Sequence, residues 1–286
     1  MEEDRFTADD VETDDIEEVA PQSSFATAAH KHVMTEQELR AAIENREFVV
    51  HYQPRIDLKS TPGGIITGAE ALVRWQQPGK KIVYPDDFIP LAERSGHIGA
   101  LTDQVLSQEV GQIRAWEDKG ISLNVSVNLS RQSLGDFSLP NRIGSLLAEK
   151  GLPAARLILE ITESGAMQDA VRTMEILTRF RLKGFGLSLD DFGTGYSSLI
   201  QLHRMPFNEM KIDKSFTIEM AHDDEARKIV ISIAELARSL GINLCAEGVE
   251  TQTALDYLRS INCDAAQGFF FSKAVPADQF VKLLNR

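Results

Sequence analysis

Strand-like and helix-like segments alternate along most of this chain, and that alternation constrains its fold more than any other feature. Eight apolar segments with strand character are separated by stretches of helical periodicity over about 250 residues. The strand candidates are residues 48–54, 64–75, 122–130, 156–164, 186–191, 209–213, 242–248 and 264–268. This pattern favours a single (β/α)8 TIM-like barrel of the α/β class. An open doubly wound sheet is the alternative, although no G-x-G-x-x-G sequence follows an early strand.

The first two strand candidates break the alternation. Only a short turn-rich segment, which contains "KSTPGG" at 59–64, separates them. A connection of this length makes a hairpin, because a parallel crossover needs a dozen residues or more. We therefore expect one antiparallel strand in an otherwise parallel barrel.

The net charge of −13 is concentrated at the start of the chain. Residues 1–30 contain ten Asp or Glu residues against Arg5, which leaves the remaining 256 residues with a charge of only −4. Residues 1–33 also lack periodicity, so we interpret them as an acidic disordered tail or linker that precedes a domain at 34–286. Order is predicted to begin at Thr35, which forms a capping box with Glu38.

Several classes of protein are disfavoured by composition. The nearly balanced body has no basic stripe that would indicate duplex nucleic acid as a partner. No apolar segment is long enough to insert into a membrane, and the acidic start is unlike a signal peptide. Two cysteines, Cys245 and Cys263, are too few for a disulfide framework and are typical of a reducing compartment. We expect a cytoplasmic protein.

Almost every strand candidate ends in a residue that can bind a ligand. In a barrel of this kind the strand ends meet at one mouth, where active sites lie. Taken singly, each such residue has a simpler explanation as a helix cap or a solvated side chain. Together they indicate a site. The residues are Gln53, Glu70, Asn128, Glu160, Asp190, Asp191, Lys211, Asp213, Glu247 and Gln267.

The chemistry of this set indicates metal-assisted hydrolysis. Carboxylates and carboxamides are hard oxygen donors that suit Mg²⁺ or Mn²⁺ rather than zinc or copper. A carboxylate cluster in a barrel mouth also requires cations to neutralise it. Lys211 is the one lysine in the set, and it suits the orientation or activation of a water molecule. Hydrolysis of a phosphate ester, with two ions as one possibility, is the reaction class that fits.

The adjacent pair Asp190–Asp191 poses a separate question. Neighbouring residues of a regular strand point to opposite faces, and close carboxylates repel unless a cation lies between them. The pair can serve one site only if the chain leaves strand geometry there. Gly193 and Gly195, just beyond, permit such a departure.

Seven motifs occur in a fixed order, and together they resemble those of the EAL-domain cyclic di-GMP phosphodiesterase family. The resemblance covers residues 35–286. The motifs are "EAL" at 70–72, "VNLS" at 127–130, "LEITES" at 159–164, "DDFGTGYSSL" at 190–199, "KID" at 211–213, "AEGVE" at 246–250 and "QGF" at 267–269.

This resemblance implies a barrel with one antiparallel strand and two Mg²⁺ or Mn²⁺ ions that activate a water, which cleaves cyclic di-GMP to linear pGpG. It implies that the first ion is held by Glu70, Asn128, Glu160 and Asp190, and that Asp190 bridges to a second ion also held by Asp191. Glu70 is thereby part of the catalytic set. Lys211 would position or activate the water, with Glu247 as the alternative base.

The resemblance also assigns substrate-binding and coupling positions. Gln53, Leu72 and Arg74 match substrate-binding positions, and Gln267 does so while completing the water network of the second ion. Glu163 would brace the loop after Asp191, which in the family contributes to a homodimer interface. Glu163 and Asp213 are the positions expected to couple that loop to dimerisation.

Two functional hypotheses follow from different classes. The first is an active cyclic di-GMP phosphodiesterase, because every metal position and the lysine are present. The second is a catalytically silent EAL-type receptor that binds the dinucleotide and relays its occupancy to a partner. The acidic tail is a solubilising linker by default, and an upstream sensory domain or regulatory partner fits the same pattern.

Overall fold

The structure, a computed structural model, describes residues 34–60, 64–79, 81–195 and 198–284. The predicted acidic tail at 1–33 lies outside the described residues. Within the described ranges, eight strands form one closed barrel in sequence order. They are β1 (Phe48–Asp57), β2 (Ile65–Trp75), β3 (Asn124–Asn128), β4 (Leu157–Thr162), β5 (Gly186–Phe192), β6 (Glu209–Ile212), β7 (Asn243–Ala246) and β8 (Ala265–Ala266).

Helices connect the strands and cover the outside of the barrel. None of those in the described ranges is long and apolar enough to cross a membrane. They are α1 (Glu36–Glu44), α2 (Pro85–Arg94), α3 (Ile98–Glu117), α4 (Leu139–Glu149), α5 (Glu163–Met167), α6 (Ala170–Leu182), α7 (Leu199–Arg204), α8 (Lys214–Glu219), α9 (Asp224–Leu240), α10 (Gln252–Ser260) and α11 (Ala277–Leu283).

The predicted barrel with one reversed strand is confirmed. β1 runs antiparallel to both of its neighbours, β2 and β8. Each remaining pair from β2–β3 to β7–β8 is parallel. The hairpin is the reason, since its short connection returns the chain beside β1 before any helix intervenes.

Local sequence signals account for several helix boundaries. The Thr35 hydroxyl accepts from the Glu38 amide, while the Glu38 carboxylate accepts from the Thr35 amide, so the capping box of α1 forms as predicted. The helical periodicity of residues 165–183 predicts one continuous helix, but this part of the chain lies in two helices, α5 and α6. The first helix ends at Met167, and Asp169 then caps α6 by accepting from the Arg172 amide at 3.2 Å.

Alternation along the strands separates an apolar shell from a polar barrel interior. On β4, Leu157, Leu159 and Ile161 are buried on the same side of the strand, while Glu160 lies on the other. Lower in the barrel, the Ser188 hydroxyl donates to the carboxylate of Glu209 at 2.9 Å. Polar side chains that point into the barrel thus form hydrogen bonds between neighbouring strands, as Ser188 of β5 does with Glu209 of β6.

A buried carboxyl group outside the barrel interior joins α3 to β1. The Glu109 side chain is fully buried, and its Oε1 accepts from the Tyr52 hydroxyl at 3.0 Å. Its Oε2 is buried without a hydrogen-bond partner among the described residues. Burial raises the pKa of Glu109 to about 8, although the Tyr52 hydrogen bond opposes this change.

We predict that Glu109 makes the fold less stable as pH rises from about 5 to about 8. Across that window the folded protein keeps the Glu109 proton and the unfolded chain releases it, so rising pH favours unfolding by up to about 1.4 kcal/mol per pH unit. The Glu109→Gln variant has no carboxyl group at this position, so its stability does not change through this titration. Urea unfolding of both proteins across the window should show the variant gaining stability relative to the wild type. Parallel pH profiles would contradict the prediction.

Candidate functional site

The polar residues predicted at the strand ends converge on the carboxyl-terminal mouth of the barrel. The seven that form one hydrogen-bonded or ion-paired cluster come from β2 to β6 and from the segments after β7 and β8. They are Glu70, Asn128, Glu160, Asp190, Lys211, Glu247 and Gln267. Strand register explains the meeting, because Asn128 pairs with Glu160 across β3 and β4.

Lys211 occupies the centre of this cluster. Its Nζ lies 2.8 Å from Glu160 Oε2, 3.2 Å from Asp190 Oδ1 and 3.6 Å from Glu70 Oε2, and it forms an ion pair with Glu247. The side chain is only 1% exposed. Burial alone would lower the pKa of Lys211, but the four carboxylates outweigh it and hold that pKa well above its usual value.

Two carboxamides complete the hydrogen bonding of the carboxylates. Asn128 Nδ2 donates to Glu70 Oε1 at 2.9 Å. Gln267 Nε2 donates to Glu70 Oε2 at 2.6 Å and to Glu247 Oε1 at 2.9 Å. The two carboxamide nitrogens therefore hold Glu70 between them, one at each of its carboxylate oxygens.

Two of the clustered carboxyl groups, those of Glu160 and Glu247, hold protons more tightly than usual. Burial raises the pKa of Glu160 to about 8, with a further contribution from the charges of Glu70 and Asp190. Burial likewise raises the pKa of Glu247 to about 8, while Lys211 opposes the rise in both cases. A divalent cation would favour the ionised forms, so metal binding is expected to release protons.

The Asp190–Asp191 pair leaves strand geometry at Asp191 itself. The φ angle of Asp191 is +55°, in the left-handed region, and the β5–β6 register shifts between Leu189 and Phe192. This bulge places Asp190, Asp191 and Glu247 with ligand oxygens all within 4.8 Å of one another. We expected the later glycines to permit the departure, but the backbone turns earlier, at the second aspartate.

These donors fit a hard divalent cation. Three carboxylates with oxygens this close suit Mg²⁺ or Mn²⁺. Burial, followed by the charge of Asp190, raises the pKa of Asp191 to about 6, and a bound cation would oppose both effects. The group pairs Asp190 and Asp191 with Glu247, which the sequence suggested only as a base.

Glu163 anchors the segment that follows Asp191. Its Oε2 accepts from the Gly193 amide at 2.9 Å and from the Gly195 amide at 3.2 Å, and the side chain is 2% exposed. Tyr196 and Ser197, the next residues of the predicted loop, lie outside the described residues. Asp213 is the N-cap of α8, where it accepts from the Ser215 amide, and its charge contributes to the raised pKa of Asp191.

A cavity of about 900 Å³ adjoins the cluster between β2, β3, α2 and α3. Asn128 and Leu72 both line it, so the predicted substrate position Leu72 shares a wall with the carboxylates. Its other walls combine apolar side chains such as Ile89 and Leu101 with polar groups such as Arg131. A concave space lined by both apolar and polar side chains is suited to bind a ligand.

Of the remaining predicted substrate positions, Gln267 belongs to the cluster, whereas Gln53 and Arg74 make their hydrogen bonds outside it. Gln53 is buried and donates through Nε2 to the Ser272 carbonyl at 3.1 Å. Arg74 donates to the Val73 carbonyl, and its guanidinium lies 5.1 Å from the centroid of the Tyr84 ring. Tyr84 was not assigned to the site from the sequence. The only sequence signal for it was an aromatic residue directly before Pro85, which starts α2; its exposure is known only from the structure.

Comparison with known proteins places this geometry in context. A family model described as EAL domain matches residues 36–274. The chain is 40% identical over 261 residues to the bifunctional diguanylate cyclase/cyclic di-GMP phosphodiesterase MucR of Pseudomonas aeruginosa, which covers 91% of this chain and 38% of that protein. It is 38% identical over 249 residues to the cyclic di-GMP phosphodiesterase NbdA of the same organism, covering 87% and 31% respectively.

A solved structure described as the PaMucR phosphodiesterase in complex with c-di-GMP is similar throughout the fold. Its TM-score is 0.81 at 41% identity, and the match covers 85% of this chain and 98% of that one. The curated relatives are longer, since this chain spans only about a third of MucR and NbdA.

We predict that Lys211→Met destabilises the metal-free fold by about 3 kcal/mol, because three buried carboxylates and the partly buried Glu247 lose their shared cation. Urea unfolding in EDTA measures this loss. Mn²⁺ should stabilise the variant more than it stabilises the wild type, since the ion supplies the missing positive charge. Lys119→Met, at an exposed lysine in the turn after α3, is the matched control. Equal stability of Lys211→Met and wild type in EDTA would refute the prediction.

Proposed function

Because this chain belongs to the EAL domain family, we propose that it is a metal-dependent phosphodiesterase that hydrolyses cyclic di-GMP to linear pGpG. The observation that carries the proposal is the carboxylate cluster around Lys211, which shares Asn128 with the wall of the adjoining cavity. An acidic cluster alone would bind cations, and a cavity alone would bind a ligand. Because the two meet at Asn128, a phosphodiester bound in the cavity beside that residue would be within reach of both.

We assign the metal positions to five residues. Glu70, Asn128, Glu160 and Asp190 would hold one Mg²⁺ or Mn²⁺ ion, and Asp190 with Asp191 would hold a second. The grouping of Asp190, Asp191 and Glu247 supports the second position and adds Glu247 as a neighbour. When bound, such ions neutralise the phosphate charge and lower the pKa of a coordinated water.

The chain's own residues then handle the water and its proton. Lys211 donates to Glu160 and pairs with Glu247, and an ammonium group held so rigidly is suited to orient a water. Glu247, which also accepts from Gln267, is the alternative acceptor of the water proton. In the reaction the water oxygen bonds to phosphorus, one P–O bond to ribose breaks, and the departing ribose oxygen takes up a proton.

The cavity and its rim supply the substrate contacts. Leu72 lines the space, while Arg74 and Gln53 lie on the neighbouring strand pair β1–β2. We propose that the Arg74 guanidinium, stacked on Tyr84, interacts with the dinucleotide at this rim. The 900 Å³ volume is of the size that encloses a sizeable small-molecule ligand.

The test is to incubate the purified protein with cyclic di-GMP and either Mg²⁺ or Mn²⁺ and to follow pGpG by chromatography. We expect turnover in the wild type and none detectable in Glu70→Ala or Asp190→Ala, which lose metal ligands. Tight binding of cyclic di-GMP without product at saturating metal would replace the enzyme with the silent receptor. Wild-type rates in both variants would refute the residue assignment.

We also propose that the chain forms a homodimer through α6 and α7. Val171 and Leu182 on α6 are 82% and 83% exposed, and Leu199 and Ile200 on α7 are 60% and 67% exposed. Val171 and Leu182 are eleven residues apart, a spacing that places them on one helix face. Leu199 and Ile200 follow the loop that Glu163 anchors, so dimerisation through α7 would act on the metal site.

We predict that Val171→Glu with Leu199→Glu converts a dimer to a monomer, because burying two carboxylates in an apolar interface is unfavourable. Light scattering at several protein concentrations should give half the wild-type mass. Ile231→Glu, at an exposed isoleucine on α9, is the matched control and should leave the mass unchanged. A wild-type mass that is already monomeric at high concentration would overturn the interface.

The location and regulation of the activity are part of the same proposal. Cys245 and Cys263 are free and buried, which supports a reducing, cytoplasmic setting. We propose that residues 1–33 connect the catalytic domain to an upstream sensory domain or regulatory partner. The greater length of the relatives MucR and NbdA supports this arrangement.

A further inference from the structure

The ring of Phe216 lies directly against the backbone of Gly193. A Cβ placed on Gly193 would come within 2.7 Å of Phe216 Cε2 and 3.3 Å of its Cζ. Gly193 also has a φ of +101°, which side chains rarely adopt. The absence of a side chain at this position therefore allows the aromatic ring to contact the chain two residues after Asp191.

The segment after Asp191 is thus held from two sides. Glu163 accepts from the Gly193 and Gly195 amides, while the Phe216 ring packs against Gly193. Ile233 of α9 contributes to the same packing, since its Cδ1 lies 3.4 Å from the position of that hypothetical Cβ. Hydrogen bonds fix the amide direction, and the apolar contact restricts how far the backbone can move.

Helix α8 fixes the position of the ring. Asp213 caps the helix directly after β6, and Phe216 lies in its first turn. Because β6 also carries Lys211, the ring and the central ammonium are placed by one continuous piece of chain. Phe216 is partly buried against the main core, whereas Ile218, two residues on, is 45% exposed.

We propose that Phe216 is a positioning residue for the metal site, which acts by holding the Gly193 turn so that Asp191 stays beside Asp190. This inference rests on the metal sites of the proposed function. Two glycines, Gly193 and Gly195, follow Asp191 within four residues. Because glycine backbones are flexible, this segment of chain has little conformational restriction of its own. Removal of the ring leaves Glu163 as the anchor and lets the Asp191 carboxylate leave the metal position.

The test compares Phe216→Ala with Phe216→Leu and Ile218→Ala. Calorimetric titration with Mn²⁺ should give an affinity about 10- to 100-fold weaker for Phe216→Ala, the usual effect of losing a residue that orients metal ligands. Phe216→Leu should recover most of the affinity, because a branched apolar side chain still packs on Gly193. Ile218→Ala, on the exposed face of the same helix, should match the wild type.

Hydrogen exchange of the metal-free proteins provides a readout that does not depend on metal or activity. Amides at 192–195 should exchange faster in Phe216→Ala than in wild type, whereas those of β4 should not change. Should Phe216→Ala fail to fold, Phe216→Leu carries the test, with a smaller loss of Mn²⁺ affinity expected. Wild-type Mn²⁺ affinity and exchange in the folded variants would overturn the inference. Failure of the wild-type protein to bind Mn²⁺ would instead reject the metal sites of the proposed function.

Discussion

The ion pairing of Lys211 with four carboxylates is the interaction on which the rest of the barrel mouth depends. Isolated carboxylates at this depth would be too costly to bury, and an isolated lysine would lose its charge. Together they form a cluster that tolerates burial. One ammonium group does not balance the charge of four carboxylates. The mouth of the barrel therefore stays negatively charged and attracts divalent cations.

The barrel provides this arrangement through the twofold periodicity of its strands. Glu209 and Lys211 are two residues apart on β6, so both face the interior at different depths. Glu209 pairs with Arg55 and accepts from Ser188, while Lys211 meets Glu160 nearer the mouth. Polar residues thereby form two levels inside an apolar shell, and only the upper level adjoins the ligand cavity.

Sequence patterns predicted the barrel, the reversed strand and the convergence of residues such as Glu70 and Glu160. Those features follow from periodicity and connection length, which are local properties of the chain. The break between α5 and α6 was missed, because a cap such as Asp169 resembles any other polar helix residue until its φ and ψ are known. The packing of Phe216 on Gly193 was also missed, since contact between distant segments has no local signal. The roles of individual site residues remain predictions.

The left-handed backbone of Asp191 limits which residues can replace it. Aspartate and asparagine are among the few residues other than glycine that adopt this conformation readily. A glutamate would retain the charge but fit the backbone poorly, whereas an asparagine would fit the backbone but lack the charge. Aspartate alone meets both demands, so the geometry of one peptide unit and the charge required by the site constrain the same position.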